Sequence, residues 1–385
     1  MSTKLLIIGA GVVGLAAAYI ARSAGLSVTV LERHPLACGA SVRNFGMLWP
    51  IGQPTGPLHD LAIRSRALWQ HAAETTGLWL NPCGSLHLAH HEDEQAVLEE
   101  FIAQSPARSL SLLTADQVRE ITPAAASRLG PVRLRAGLHS TTEAAVNPRT
   151  ASAHLAQWLA AQPNVSIQFN ALVREVSDSH AITARGERHD FDFCLICGGA
   201  DITTLYPDFL STHTLRLCKL HMLRLADPGV RFPAPLMSDL GLVRYLGYRG
   251  PRLPALRARL VAEQPAHLAD GIHLIAVQHT DGSLVVGDSH HYDASPDPFQ
   301  PQDVDARMLE EFTAVTGLRA PEVTERWIGI YPSGPDTAFT EAVADGVRLV
   351  MVTSGTGAST AFAIGEETVA ELLGLPRPPH MREEA

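Results

Sequence analysis

The chain has 385 residues, 46% hydrophobic and 18% charged, with a formal net charge of -10. That length exceeds what one core normally serves, so two domains are expected. The negative balance argues against nucleic acid as a partner, and the lack of an unbroken apolar run of about eighteen residues argues against a membrane span.

Lys4-Leu5-Leu6-Ile7-Ile8 reads as a short buried strand, Gly9-Ala10-Gly11-Val12-Val13-Gly14 follows at once, and an Ala-rich helix runs to Ala24. Gly25 closes that helix, and Ser27 to Leu31 is a second strand ending at Glu32. Strand, glycine turn, helix, strand and acid together form a dinucleotide-binding unit. Gly9 permits the tight turn, Gly11 lets backbone approach a pyrophosphate, and Gly14 lets helix and strand pack closely. The helix start offers free N–H groups to the phosphates. Glu32 is placed to accept hydrogen bonds from an adenosine ribose. An apolar start behind Lys4 also fits a secretory signal, but three spaced glycines and the second strand argue against one.

The glycine-dotted segment from Arg33 to Pro57 suggests backbone lying close to a ligand. Asp60 to Thr75 reads as a helix, Gly84 to Ala89 as a strand, and Glu92 to Ser105 as an amphipathic helix. His90 and His91 read as solvated loop residues, and Thr114 as the N-cap of another short helix. Asn147-Pro148 opens a helix running to about Ala161. Val165 to Phe169, Leu172 to Val176 and Phe191 to Cys197 read as strands, the last leading into Gly198-Gly199-Ala200.

Leu215 to Leu225 alternates like a strand of a mixed sheet, with Lys219, His221 and Leu223 on one face and Cys218, Leu220, Met222 and Arg224 on the other. Pro251 to Asp270 looks like an exposed excursion. Ile272 to Val277 and Ser283 to Gly287 form a hairpin, and Asp303 to Gly317 a helix. Val347 to Val352 is a buried strand, and Ser354 to Thr360 leads into a helix from Ala361 to Leu373, a second helix start able to face negative charge. The five cysteines are Cys38, Cys83, Cys194, Cys197 and Cys218; an odd count without a framework suits a reducing cytosol, so a cytoplasmic protein is expected. Cys194 and Cys197 lie on opposite faces of one strand and read as plain buried residues.

These separated segments together resemble the flavin amine oxidoreductases of the D-amino-acid oxidase, glycine oxidase and sarcosine oxidase superfamily. The resemblance implies an α/β fold: a Rossmann-type FAD-binding domain of discontinuous segments (1–82, 143–214 and 325–385) plus a mixed-sheet α+β substrate domain (83–142 and 215–324), glycine oxidase-like. It assigns Gly9, Gly11 and Gly14 to the pyrophosphate and Glu32 to the adenosine ribose, with Val12, Val13 and Arg33 also binding the cofactor. Ala40, Ser41, Asn44, Gly46 and Met47 would line the pyrophosphate and flavin, and Val173 the adenine. Gly198, Gly199, Ala200, Trp327 and Gly329 join the cofactor site, and Gly355, Thr356, Gly357, Ala358, Ser359 and Thr360 the flavin pyrimidine edge. Relatives that attach FAD covalently use a late cysteine or a histidine near Asn44; no cysteine follows Cys218 and no histidine stands there, so non-covalent FAD is expected. The stretches Gly39 to Pro50, Gly84 to Ala89 and Trp327 to Pro332 look like a bacterial clade associated with aminophosphonate breakdown.

The implied reaction is oxidation of a small-molecule amine, with O2 accepting the electrons. Candidate catalytic residues are Lys219, Tyr331, His290 and His291, and candidate substrate-binding residues are Arg43, Trp49, His221 and Tyr331. Lys219 is one of only two lysines, with Lys4. It would favour a developing superoxide or hold an anionic group. His290-His291 lacks a third ligand by spacing, so no metal is expected. In glycine oxidase-like relatives an arginine stands where this chain has Tyr331, just before Pro332. Its loss argues for a phosphonate held by several separate donors over a carboxylate held by one fork. Arg43 or Arg244 restoring carboxylate binding from another strand is the alternative, as in a glycine, sarcosine or D-amino-acid oxidase; a dinucleotide-binding protein without amine chemistry is another.

Overall fold

The computed structural model describes residues 2–122 and 134–376. A six-stranded sheet carries the first glycine turn. Its order is Ala338–Ala344, Val347–Val352, Phe193–Ile196, Lys4–Ile8, Ser27–Leu31, Val165–Gln168, and every pairing is parallel except the Ala338–Ala344 edge hairpin. Lys4–Ile8 is central and buried on both faces, which explains its unbroken apolar run. Leu5 and Ile7 face helices Val12–Ser23 and Gly357–Leu372, whereas Leu6 and Ile8 face the opposite layer. Cys194 and Cys197 divide between these two layers, as period-two alternation requires.

The second large sheet is mixed and nine-stranded, and one of its strands, Val323–Ser333, pairs along its length with Arg216–Leu225. The expected cofactor segment beginning at residue 325 therefore starts inside the substrate-side sheet, which continues to Ser333. Helix Gln302–Thr316 packs on this sheet through Val304, Met308 and Phe312.

Several local expectations need correction. The helix expected from Asp60 is Pro57–Thr76, because Pro57 takes the first helical position. The supposed excursion at 251–270 contains helices Leu253–Glu263 and Pro265–Ala269. Leu256 and Leu260 are fully buried there, and Arg259 pairs with Asp93, Glu94 and Asp239. His90 is not solvated: both its ring nitrogens are buried without a hydrogen-bond partner. The last helix, Gly357–Leu372, begins four residues early, inside the glycine segment itself. Among the described residues no helix is long and apolar enough to cross a membrane.

Candidate active site

One cavity of about 580 Å³ runs from the Gly9 turn to the mixed sheet. Its first part is built by close approach. Gly9 has φ +107°, and a Cβ there would lie 2.4 Å from the Cys197 carbonyl oxygen; a Cβ on Gly14 would lie 2.1 Å from the Gly9 carbonyl oxygen. The two glycines let two strand ends and a helix close together. Gly11 has an ordinary φ of -70° and lines the cavity beside Ser41, whose Oγ accepts from the Val12 N–H at 2.8 Å. The N–H groups of Gly11 and Val13 find no partner among the described residues, so the helix start presents free donors to the cavity. Glu32 is buried in the wall, its carboxylate accepting from the Ala10 N–H at 2.8 Å and the His34 N–H at 3.0 Å. Arg33, also in the wall, pairs with Asp201.

The 40–49 loop forms the next stretch, through Ala40, Ser41, Asn44, Met47 and Trp49. Asn44 staples it: Oδ1 accepts from the Gly46 N–H at 2.7 Å, and Nδ2 donates to the Ala40 and Ser41 carbonyls. The Trp49 N–H donates to Ser359 Oγ at 2.8 Å, tying the loop to the last helix, while its indole N–H is buried without a partner. Val173, Gly198, Gly199 and Ala200 close one side, and Gly355, Thr356, Gly357, Ala358 and Ser359 the other. Arg43 and Gly329 line the cavity too, but the Arg43 guanidinium donates to the Ile328 carbonyl at 3.1 Å. The Tyr331 ring lies where a Cβ on Gly355 would be 3.1 Å from it, which joins the glycine segment to the mixed sheet.

The polar end of the cavity comes from a β-bulge. Leu284–Gly287 and His291–Asp293 both pair with Arg216–Leu225, with Met222 opposite Gly287 and Lys219 opposite His291. Leu220 and His221 thus face three residues, Asp288, Ser289 and His290. The extra residue re-aims its strand: Asp288 and His290 turn into the cavity while His291 stays on the Lys219 face. His273 lies beside them with Nδ1 3.0 Å from Asp288 Oδ1, and His290 Nε2 is 3.8 Å from Asp288 Oδ2. Burial pushes the Asp288 carboxyl up to about 8, opposed by Arg244. Burial, then Arg244, holds both imidazoles well below the usual histidine range. Arg244 ends the short helix Asp239–Arg244, lines the cavity, and donates to the Tyr292 hydroxyl at 2.9 Å. Burial opposes its charge, but Tyr331, Tyr292 and Asp288 around it keep the guanidinium protonated.

Not every expected residue reaches this cavity. Lys219 is buried on the other face of its strand, where Nζ donates to Asp297 at 2.9 Å and to the Phe299 carbonyl at 3.0 Å. His221 shares that face, 3.5 Å from Asp305, and its ring lies tilted against His291 with centroids 5.4 Å apart. Alternation put Lys219 and His221 on one face correctly, but at those two positions the face meets helix Gln302–Thr316; the cavity wall takes Leu220 from the opposite face, and Leu217 only at the start of the strand. Lys219, His221 and His291 therefore lie off the cavity wall. Gly14, Gly46, Trp327 and Thr360 also lie off the cavity wall. Gly46 has φ +80° and permits contact with Val146, the Trp327 indole donates to the Arg43 carbonyl, and Thr360 Oγ1 donates to the Thr356 carbonyl.

His273, Asp288 and Tyr245 were missed. Their ligand-facing atoms meet only through the bulge and the hairpin, and the visible signal was an acid placed directly after the apolar run Leu284–Gly287. His273, Asp288 and His290 bring ligand atoms within 4.8 Å of one another, a threefold set that sequence spacing does not place. The fixed positive charge of Arg244 beside it works against a divalent ion.

A Rossmann-type glycine turn with free N–H donors, a buried carboxylate past the second strand, and a second helix start facing the same cavity define a dinucleotide-dependent oxidoreductase. Residues 4–371 match the family described as DAO, FAD dependent oxidoreductase, and the chain belongs to that family. It is an FAD-dependent oxidoreductase. Glycine oxidase from Bacillus cereus has a similar structure: TM-score 0.75 at 19% identity, covering 97% of this chain and 95% of that one. The L-alpha-glycerophosphate oxidase of Mycoplasma pneumoniae, solved with FAD bound, gives TM-score 0.72 at 21% identity, covering 98% and 97%. At these identities the likeness concerns the fold. The bifunctional protein MnmC of tRNA 5-methylaminomethyl-2-thiouridine biosynthesis from Magnetococcus marinus is 28% identical over 238 residues, 59% of this chain. The chain spans only about a third of that relative's length, the match covering 34% of it.

The contact between the 40–49 loop and the last helix is made by Trp49 and Ser359, neither of which can link to a flavin in the way of the cysteine or histidine used by covalent relatives. The protein is expected to purify yellow and to release its flavin into the supernatant on acid precipitation. Flavin remaining with the pellet would establish a covalent link.

Proposed function

We propose that this enzyme oxidises the C–N bond of a small amine that carries an acidic group. The observation that carries the reading is the placing of one guanidinium, Arg244, in the same cavity as an acceptor set, Asp288 with His273 and His290. A zwitterion offers an anion to the first and an ammonium to the second. Bound along the cavity, FAD would supply the acceptor for a hydride leaving the substrate's α-carbon. The chain's own residues hold the acid group, orient the C–H bond and keep the amine in place. The resulting imine takes up water to give a carbonyl compound and ammonia or an amine. O2 as electron acceptor would give H2O2.

For the acid group we favour a phosphonate, as in 2-aminoethylphosphonate or its N-methyl or hydroxy derivatives. Arg244 and Tyr331 line the cavity as separate donors, with Tyr292 behind Arg244 holding its guanidinium, and two donors from different elements suit a tetrahedral group with three oxygens. Lys219, tied to Asp297, takes no part. Arg244 also supports a second reading, a carboxylate held by its two-pronged fork, as in a glycine, sarcosine or D-amino-acid oxidase. The test is anaerobic bleaching of the flavin, followed by peroxide release in air, over 2-aminoethylphosphonate, its N-methyl derivative, sarcosine, glycine and D-alanine. The expected order has kcat/KM for the phosphonates at least tenfold above the carboxylates. Equal or better turnover of the carboxylates would reverse the substrate assignment, and no bleaching by any of the five would end the amine reading.

A further inference from the structure

We propose that Asp288, set between His273 and His290, removes a proton from the substrate's ammonium group, so that the enzyme binds the protonated amine and oxidises the free base. The inference rests on the amine reading and adds a proton acceptor to it. An ammonium has no lone pair on nitrogen, and hydride can leave its α-carbon only once that pair is free to form the C=N bond. The step is a plain transfer: one N–H bond breaks, one O–H bond forms on Asp288, and the amine leaves the step neutral.

Asp288 sits in close contact with His273 but without hydrogen-bond geometry between them. Its Oδ1 is buried with no hydrogen-bond partner, and so is His273 Nδ1, 3.0 Å away. Two buried atoms without hydrogen bonds are costly, and a ligand bearing several N–H groups would supply a donor to the carboxylate. The Tyr245 hydroxyl engages His273 at the other nitrogen, Nε2, at 3.1 Å. His290 has its tautomer fixed from outside: Nδ1 lies 3.1 Å from the Gly271 carbonyl, which can only accept, so Nε2 is the bare acceptor and points toward Asp288. His290 also meets Tyr331 edge-on at 6.4 Å between centroids, and Tyr331 packs against Gly355. The cluster is thereby linked to the segment expected to hold the flavin.

The charged and titratable groups facing Asp288 come from every neighbouring element. Arg244 and Tyr245 lie at the end of the short helix, His273 before the hairpin, His290 on the bulge, Cys218 on the paired strand and Tyr331 on the long strand beside it. Arg244 is the one fixed cation among them, and it is the group assigned to the substrate's acid end. Burial sets the Asp288 carboxyl near 8, far closer than an ordinary aspartate to an amine of about 10.4; only the ionised carboxylate accepts the proton, so the transfer is expected to hold down to about pH 8, well below the amine's own range, and to fade as the pH falls further.

The test is stopped-flow flavin reduction under nitrogen between pH 6.5 and 10, with 2-aminoethylphosphonate and then sarcosine as probes. Wild type is expected to hold its apparent second-order rate well below the amine's own pKa. Asp288→Asn is expected to lose on the order of 10²-fold at pH 7.5, and to recover to within about fivefold of wild type at pH 10, where the free amine is already present. A loss of equal size at every pH would mark a merely structural role and overturn the proposal, as would an unchanged profile. A wild-type rate that itself tracks the free-amine fraction would also overturn it, and that measurement does not depend on the variant folding. Dialysis against EDTA is expected to change nothing; a rate lost to EDTA and restored by zinc would assign the cluster to a metal instead. If wild-type flavin is not bleached by any amine, the functional reading itself has failed, an outcome distinct from a bleached wild type with an unaltered Asp288→Asn profile.

Discussion

Arg244→Met is expected to lower kcat/KM for the acid-bearing amine by roughly 30-fold to several thousandfold, mostly through KM. Removing one partner of a buried charge pair costs about 2–5 kcal/mol, because the other charge is left unpaired in a poorly solvated place. Arg244 is held by Tyr292 and surrounded by Tyr331 and Asp288, so no water-filled surface replaces it. Lys219→Met removes the same formal charge and serves as the control. Its ammonium is used by Asp297 and Phe299 on the far face of the strand, so KM and flavin reoxidation are expected to stay within about twofold while stability falls by roughly 1–3 kcal/mol. If Lys219→Met instead slowed reoxidation or raised KM as strongly as Arg244→Met, the placing of the two cations would be refuted. Arg244→Lys separates the two acid groups. A lysine keeps the charge and loses the planar fork, so a carboxylate substrate should suffer more than a phosphonate held also by the Tyr331 hydroxyl.

The contrast between Lys219 and Arg244 shows where sequence reasoning stops. Alternation along Arg216–Leu225 correctly separates Lys219 and His221 from Cys218 and Leu220, since a strand has only two faces. Which face looks at the cavity depends on what packs behind the sheet, and helix Gln302–Thr316 starts 77 residues past the end of that strand, far outside the window of about 11–18 residues over which local pattern carries information. His290 and His291 are adjacent, so one of them had to face each side. The bulge decides that His290 faces inward, and a one-residue bulge leaves no mark in the hydrophobic pattern of Leu284–Gly287. Arg244 lies on a six-residue helix, too short for periodicity to announce it.

The cofactor half was easier to read because its chemistry is local. Free N–H groups at a helix start, close approach permitted by glycine and an acid after the second strand all fall within Lys4 to Glu32. Their spacing is set by the chain's own geometry. Even there the glycines differ in what they do. Gly14 and Gly46 sit where backbone meets backbone, whereas Gly11 sits where backbone meets the cavity. Sequence alone cannot sort them, since both needs select the same residue.

That difference gives a second large expected effect. Gly11→Ala should fold, because its φ of -70° suits alanine and the added Cβ would meet only Ser41 Oγ, at 3.1 Å. The new methyl would nevertheless enter the space in front of the Gly11 and Val13 N–H groups. Overpacking of this size costs about 1–3 kcal/mol, so FAD affinity is expected to fall roughly 10- to 100-fold with the apoprotein's melting temperature nearly unchanged. Gly9→Ala should behave in the opposite way. Its φ of +107° is strained for alanine, and its Cβ would stand 2.4 Å from the Cys197 carbonyl oxygen, so the apoprotein itself should be destabilised or fail to accumulate. Flavin titration of each apoprotein, followed by its thermal melt without flavin, separates the two outcomes. A Gly11→Ala protein with unchanged FAD affinity would show that the pyrophosphate does not lie against Gly11. A Gly11→Ala protein that melts as early as Gly9→Ala would show that Gly11, too, serves the packing of strand on helix.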